Sequence, residues 1–75
     1  MKYDHELDAL GLLCPLPVLK ARKRIAGLET GQVLRLLSDD PAAVIDVPHF
    51  CAENGHELIE RESRDNANVF YIQKK

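Results

Sequence analysis

The sequence predicts an α+β fold, a two-layer sandwich in which two helices pack on one face of a mixed four-stranded sheet. Two helix starts are marked by a proline, at Pro15 and at Pro41, and each follows a segment with the pattern of a strand. Two further strand patterns complete the C-terminal third of the chain. The resulting order, β-α-β-α-β-β, buries its apolar faces when the helices form one layer and the sheet the other.

The first strand is predicted over His5–Leu10. Within it Leu7 and Ala9 face one side, and the acidic residues between them face the other. Gly11 then begins a turn that leads to Cys14. The strand therefore delivers a cysteine to the start of the first helix.

The first helix is predicted from Pro15 to about Ala26, with Gly27 near its end. Pro17 still lies in the first turn, where backbone N–H groups have no intrahelical partner. On a helical wheel the residues separate into two faces. The apolar face contains Val18, Ala21, Ile25 and Leu28, and the opposite, basic face contains Lys20, Lys23 and Arg24.

The second strand is predicted over Gln32–Ser38, whose apolar residues on both faces are typical of a central strand. A second helix follows, with Asp40 as its N-cap and Pro41 at its first position. Asn54-Gly55 is expected to end this helix. Pro48 lies inside it and is expected to kink or split it near Val47. Its apolar face contains Val44, Val47 and Cys51.

The last two strands are predicted over His56–Glu62 and Asn68–Gln73. The polar stretch Ser63–Ala67 between them is interpreted as a hairpin loop. The apolar pattern assigns a face to each strand residue, but it does not determine the order of the four strands in the sheet.

Composition narrows the class of protein. Seventy-five residues, 45% of them hydrophobic and 29% charged, predict one small globular domain over residues 1–75. The net charge of −2 argues against a non-specific nucleic-acid binder. Two cysteines are too few for the disulfide framework of a small secreted domain. No signal-peptide pattern or membrane-spanning apolar run is present, so a location in the cytoplasm without a membrane partner is expected. Nothing in the sequence indicates an obligate dimer, so a monomer is expected.

The chemically informative segment is Cys14-Pro15-Leu16-Pro17. A thiol directly before a helix occupies the N-cap, where the macrodipole places about half a positive charge. This charge favours the thiolate and predicts a pKa for Cys14 below the roughly 8.5 of a free thiol. Pro15 and Pro17 stiffen the first turn. Such a thiolate is a good nucleophile and can hold a transferable sulfur as a persulfide, whereas the alternative is a small buried cysteine.

The segment from His5 to Pro17 resembles the signature of the TusA/SirA family of small sulfur-carrier proteins, whose hallmark is Cys-Pro-x-Pro at the start of the first helix. The Cys-Pro-x-Pro motif alone is a weak signal. Together with the Asp-Asp-Pro-Ala start of the second helix, and with the spacing between the two, the motif is specific. The sequence is most similar to the TusA branch of the family. The resemblance continues through Arg22-Lys23, Ser38-Asp39-Asp40-Pro41-Ala42, Asp46-Val47-Pro48-His49-Phe50-Cys51 and Gly55-His56-Glu57-Leu58.

The resemblance implies the same β-α-β-α-β-β fold and a sulfurtransferase activity of the relay type. Cys14 would accept a persulfide sulfur from a cysteine desulfurase and pass it to a downstream sulfur-relay protein. No cofactor is expected on this chain, because the desulfurase holds the pyridoxal phosphate. In bacteria with the full relay, the sulfur reaches the 2-thio group of wobble uridine in certain tRNAs. Other members of the family supply molybdenum-cofactor synthesis or sulfur oxidation.

Two residues outside the motif leave alternatives open. Cys51 is interpreted as a core residue because it shares the apolar face of the second helix, and the alternative is a resolving thiol for Cys14. Arg22 falls inside the apolar arc of the first helix, so its charge needs a partner or must extend to solvent. Asp40 and Asp46 are candidates for an ion pair joining the two helices. The alternative is an arginine whose stem covers apolar surface.

The main interpretation of Asp39 and Asp40 is that they cap the second helix. The other interpretation is that the loop they belong to also borders Cys14. Direct contact is not expected, because a nearby carboxylate would raise the pKa of the thiol. The basic face of the first helix is either solvated or, beside a sulfur that must dock into other proteins, a partner-binding surface. The histidines and cysteines are too scattered to indicate a zinc site.

Two other classes of function remain open. One is a redox-regulatory or protein-interaction module, in which a Cys14–Cys51 disulfide would require Cα atoms within about 7 Å of each other. The other is direct RNA binding through the basic face. The net charge of −2 and the absence of paired surface aromatics count against RNA, so no direct nucleic-acid partner is expected.

Overall fold

The computed structural model describes residues 2–75. Its strands and helices follow one another in the predicted order, β-α-β-α-β-β. The elements are β1 (His5–Asp8), α1 (Leu16–Ala26), β2 (Val33–Ser38), α2 (Ala43–Asn54), β3 (Glu57–Arg64) and β4 (Ala67–Gln73). The strand order in the sheet is β1-β2-β4-β3. β1 and β2 are parallel, and the other two pairs are antiparallel. The predicted α+β sandwich with a mixed four-stranded sheet is confirmed.

The hydrophobic core lies between the helices and one face of the two central strands. β2 and β4 each contribute alternate residues to this face, as the two-residue period of a strand requires. These residues are Leu34, Leu36, Phe70 and Ile72, and all four are fully buried. The helices cover them with Ala21, Ile25, Val47, Phe50 and Cys51. Val18 packs at the border of the core and is half-buried.

Two predicted boundaries are wrong by a few residues. β1 ends at Asp8 rather than Leu10, because the Asp8 carboxylate accepts the N–H of Leu10 at 2.9 Å and turns the chain. The loop between β3 and β4 has two residues rather than five, since β3 extends to Arg64 and β4 starts at Ala67. Asp65 adopts a positive φ of 48° there, which Asp tolerates better than most residues.

α2 begins later than predicted and is not split. It starts at Ala43, two residues after Pro41, and continues through Pro48 to Asn54. Pro48 removes one N–H donor from the helix. Burial of neighbouring residues on both sides, including Val47 and Phe50, holds the helix in one piece. Gly55 ends it in the left-handed conformation with φ 73°, as the sequence predicts.

The sheet topology brings two loops together. β1 and β2 are parallel neighbours, and each is followed directly by a helix. The loop before α1, which contains Cys14, therefore meets the loop before α2 at one edge of the sheet. Among residues 2–75, no helix is both long and apolar enough to cross a bilayer.

Candidate active site

Cys14 is exposed in the loop between β1 and α1, and it is one residue farther from the helix than predicted. Pro15 occupies the N-cap, and no side chain caps the helix. The peptide bond between Cys14 and Pro15 is cis. The first turn is closed by main-chain bonds, from Leu16 N to Leu13 O at 2.9 Å and from Leu19 N to Pro15 O at 3.1 Å. Pro17 is fully buried and anchors this turn in the protein.

The thiol of Cys14 faces a carboxylate on the neighbouring helix. Its Sγ donates a hydrogen bond to Oδ2 of Asp46, in the first turn of α2, at 3.0 Å. This hydrogen bond is the main cause that raises the pKa of Cys14 above its ordinary value. Partial desolvation and the negative charges of Asp46 and Asp40 act in the same direction. The predicted lowering of the pKa is therefore wrong, because a carboxylate in direct contact outweighs the partial charge of the α1 terminus.

Asp39 and Asp40 hold the Cys14 loop by its backbone. Asp40 Oδ2 accepts the N–H of Cys14 at 2.5 Å, and its Oδ1 accepts the N–H of Ala42 at 3.1 Å. Asp39 Oδ1 accepts the N–H of Gly11 at 3.0 Å. The expectation of no direct contact concerned the thiol, and the hydrogen bond of Asp40 is with the main-chain amide of Cys14 rather than with its sulfur. Asp40 is buried and joins the two loops.

Of the two alternatives for Arg22, the ion pair with Asp40 or Asp46 does not form. The ion pairs among residues 2–75 involve other side chains, because Asp40 is occupied by backbone amides and Asp46 by the thiol. The Arg22 guanidinium instead lies over the ring of Phe50 on α2, 5.8 Å from the ring centroid. The alternative interpretation, an arginine covering apolar surface, describes this arrangement.

An open cleft of about 200 Å³ lies beside the thiol, between α1 and α2. Pro15 and Val18 line it from α1 and its cap, and Phe50 lines it from α2. Its polar lining consists of the charged residues Arg22, Asp46 and Glu53 and of His49. Cys14 is thus at the border of a small mixed cleft rather than on a flat surface.

The predicted basic face lies apart from this cleft. It borders a wider groove of about 430 Å³ between α1 and the edge strand β1, where His5 and the three basic residues Lys20, Lys23 and Arg24 meet. Arg24 Nη1 donates to the main-chain O of Glu6 at 3.2 Å. The structure therefore does not bring these residues together with Cys14 in one cleft.

Cys51 is a core residue, as predicted. It is 3% exposed and belongs to the main hydrophobic cluster. Burial raises the pKa of its thiol to about 11. Both cysteines are free thiols. Within residues 2–75, no group of three His, Cys, Asp or Glu side chains is arranged to hold a metal ion.

Sequence reasoning missed the contact between Asp46 and the thiol. The contact depends on the strand order, which the sequence pattern does not determine: β1 and β2 are parallel neighbours, and this places the first turns of the helices that follow them side by side. Sequence reasoning also missed three exposed aliphatic side chains that lie within two residues of Cys14 or next to Asp46 along the chain. These are Leu13, Leu16 and Ile45, exposed by 68%, 45% and 74%. Grouped exposed apolar residues are typical of protein-binding surfaces.

Two comparisons relate this arrangement to known proteins. A sequence model of the family described as sulfurtransferase TusA matches residues 5–74. The crystal structure of a SirA-like protein from Desulfitobacterium hafniense superposes with a TM-score of 0.80 and 29% sequence identity. That match covers 96% of this chain and 100% of the other.

Proposed function

The chain belongs to the TusA sulfurtransferase family, and from that premise we propose that Cys14 carries the sulfur, as a persulfide, between two partner proteins. The observation that supports this choice is accessibility. Cys14 is exposed in a loop held in place by Asp40, whereas Cys51 is buried in the core. A carrier must present its sulfur to other proteins, and only an exposed thiol can do so.

The chemistry is two successive thiol–persulfide exchanges. Cys14 loses its proton and attacks the outer sulfur of a persulfide on a cysteine desulfurase. One S–S bond forms and one breaks, and the donor cysteine leaves as a thiolate that takes up a proton. Cys14 then holds S–SH. A downstream relay cysteine attacks the outer sulfur in the same way, and Cys14 leaves. No net oxidation occurs and no cofactor on this chain is required.

The Asp46 contact favours the protonated form of the Cys14 thiol in the free protein, because it raises the pKa of that thiol. A protonated thiol is a poor nucleophile, so the free carrier reacts slowly with oxidants and with unspecific electrophiles. A partner that brings a cationic group to Asp46 would compete for the carboxylate and free the thiol to ionise. Activation on docking is therefore part of the proposal, and the hydrogen bond at 3.0 Å is the contact that a partner would have to replace.

The exposed aliphatic side chains around the thiol supply the contact area for the partner. Leu13 and Leu16 flank Cys14 along the chain, and Ile45 precedes Asp46. We place the whole activity on one domain in the cytoplasm. The sulfur then continues, through the downstream protein, to 2-thiolation of wobble uridine in tRNA.

The test is transfer followed by intact mass measurement. Wild-type protein incubated with a cysteine desulfurase and cysteine, under non-reducing conditions, is expected to gain the mass of one sulfur atom. The gain should be absent in Cys14→Ser and retained in Cys51→Ser. A wild-type protein that gains no sulfur from several desulfurases would contradict the proposal.

The tRNA destination needs a separate test. In a strain lacking this protein, 2-thiouridine in tRNA should be restored by the wild-type gene and not by Cys14→Ser. An unchanged level of 2-thiouridine in the strain lacking the protein would contradict the tRNA destination. It would not contradict the proposal that Cys14 carries sulfur, and the acceptor would then be another one.

A further inference from the structure

The cleft beside Cys14 is smaller than a typical ligand pocket. Pockets for drug-sized ligands occupy roughly 300–1,000 Å³, whereas this cleft has about 200 Å³. It can therefore hold a molecule of a few heavy atoms. Val18 and Phe50 contribute apolar atoms to its lining, and Cys14 lines it as well.

Arg22 offers the cleft an unpaired cation. Its guanidinium lies over the Phe50 ring, and it is not among the ion pairs of residues 2–75. Arg22 follows Pro15 by seven positions, about 10 Å along the helix axis. Helical side chains lean toward the helix N-terminus, which is the direction of Cys14, and both residues line the cleft. A guanidinium is the side chain best suited to bind a carboxylate through two hydrogen bonds.

Asp46 offers the same cleft an anion next to the sulfur. Its Oδ2 accepts the thiol proton of Cys14, and its carboxylate has no cationic partner among the ion pairs of residues 2–75. The other acid in the cleft, Glu53, is already 3.3 Å from His49. An ammonium group in the cleft would therefore pair with Asp46. That pairing would weaken the contact that raises the pKa of the thiol.

A cation, an anion and a sulfur nucleophile in a small, partly apolar cleft are complementary to one class of molecule. We propose that this cleft binds a zwitterionic aminothiol persulfide, of the class of cysteine persulfide, and that Cys14 takes its outer sulfur directly. The carboxylate pairs with Arg22, the ammonium pairs with Asp46, and the outer sulfur lies against Sγ. This inference rests on the proposed role of Cys14 as the sulfur carrier.

The step is balanced without a further reactant. The Cys14 thiol gives up its proton and attacks the outer sulfur of R–S–SH. The new S–S bond forms as the S–S bond between the donor's inner and outer sulfur atoms breaks, and R–S⁻ leaves and is protonated. The products are Cys14 persulfide and the free aminothiol. The small molecule thus replaces the desulfurase as the donor.

The experiment compares three persulfides that differ in the charged groups they carry. Each persulfide is made from the corresponding disulfide and sulfide, and sulfide alone is the blank. Cysteine persulfide has both charges, cysteamine persulfide lacks the carboxylate, and 3-mercaptopropionate persulfide lacks the ammonium. The initial rate of sulfur gain on Cys14 is measured by intact mass. We expect saturation with cysteine persulfide and rates that rise linearly with concentration for the other two.

Arg22→Gln separates binding from intrinsic reactivity. It should lower the rate at subsaturating cysteine persulfide by about tenfold, the effect of losing one charge-assisted contact, and leave the rate with cysteamine persulfide unchanged. Arg61→Gln makes the same charge change on an exposed residue of β3, outside the cleft, and should match wild type. Circular dichroism of both variants checks that the fold is retained.

Two outcomes would overturn the inference. The first is a linear rate for all three persulfides, and the second is an equal effect of Arg22→Gln on all of them. If wild-type protein still gains sulfur from a desulfurase in either case, the aminothiol site is refuted and the proposed function stands. If neither kind of donor loads Cys14, both are refuted.

Discussion

At the scale of single residues, the protonation of Cys14 depends on a competition between two nearby electrostatic effects. The end of α1 offers about half a positive charge that acts within the first turn. Cys14 lies outside that turn, one residue before the N-cap. Asp46 places a full negative charge 3.0 Å from the sulfur. Because Coulomb energy rises with charge and falls with distance, the carboxylate outweighs the helix terminus.

Replacing Asp46 by Asn should therefore make Cys14 more reactive. Asp46 raises the pKa of the thiol, so removing its charge lowers that pKa and increases the thiolate fraction at pH 7. The rate of alkylation by iodoacetamide should increase several-fold at pH 7, and its pH profile should move to lower pH. Glu53→Gln, in the same cleft without contact to the thiol, is the matched control. An unshifted profile in Asp46→Asn would contradict this account.

The two cysteines should differ sharply in labelling. Burial raises the pKa of Cys51 to about 11 and shields it from reagents, whereas Cys14 is exposed. Iodoacetamide at pH 8 should label native protein once, at Cys14, and label it twice in denaturant. Peptide mapping by mass spectrometry locates the label. Equal labelling of both cysteines in the native protein would show that the buried face of α2, which contains Cys51, is readily exposed to the reagent.

At the scale of elements, the loops before the two helices are held together by the paired acids of the β2–α2 loop. Asp40 accepts main-chain N–H groups from both loops, those of Cys14 and Ala42. The N–H of Asp40 is in turn bonded to Ser38 Oγ, which is buried. One side chain therefore sets the position of the reactive loop relative to α2, and hence the distance from the thiol to Asp46.

Asp40→Ala should destabilise the protein more than Asp39→Ala. The first change leaves two partly buried N–H groups without partners and should cost about 2 kcal/mol. Asp39 makes one exposed bond, to Gly11, and its loss should cost less than about 1 kcal/mol. Urea unfolding gives both free energies. Equal costs for the two variants would show that Asp40 does not hold the loops together.

At the scale of the whole molecule, the sequence predicted which faces are buried better than it predicted which residues meet. The apolar period identified the α1 face and assigned Cys51 to the core, because burial follows from local spacing. The strand order and the contact of Cys14 with Asp46 join residues distant in sequence, and no local pattern encodes them. Pro48 was misjudged for a related reason, since tertiary packing outweighs one missing helical hydrogen bond.

Charge is unevenly placed over the molecule, although the net charge is only −2. Two lysines and an arginine of α1 gather with His5 along one groove beside the edge strand β1. The acids near Cys14 lie on the other side of α1, with α2. A partner that docks over both regions would meet a positive groove and a negative cleft, and this fixes its orientation.

The double variant Lys20→Glu and Lys23→Glu tests whether this groove steers a sulfur donor. These lysines are exposed and lie outside the Cys14 cleft, so stability and the alkylation rate of Cys14 should stay unchanged. Long-range attraction acts on association and is screened by salt. Sulfur gain from the desulfurase should therefore fall by about tenfold at low salt and approach the wild-type rate at high salt.

The control for that experiment is Arg61→Glu on β3. Like each of the two lysine substitutions, it replaces a positive charge by a negative one, but it does so on another surface. It should leave the transfer rate close to wild type at every salt concentration. If the double variant and the control behave alike, net charge rather than the groove governs association. If neither changes the rate and the wild-type rate is independent of salt, the donor docks on the apolar side chains around Cys14 without electrostatic steering.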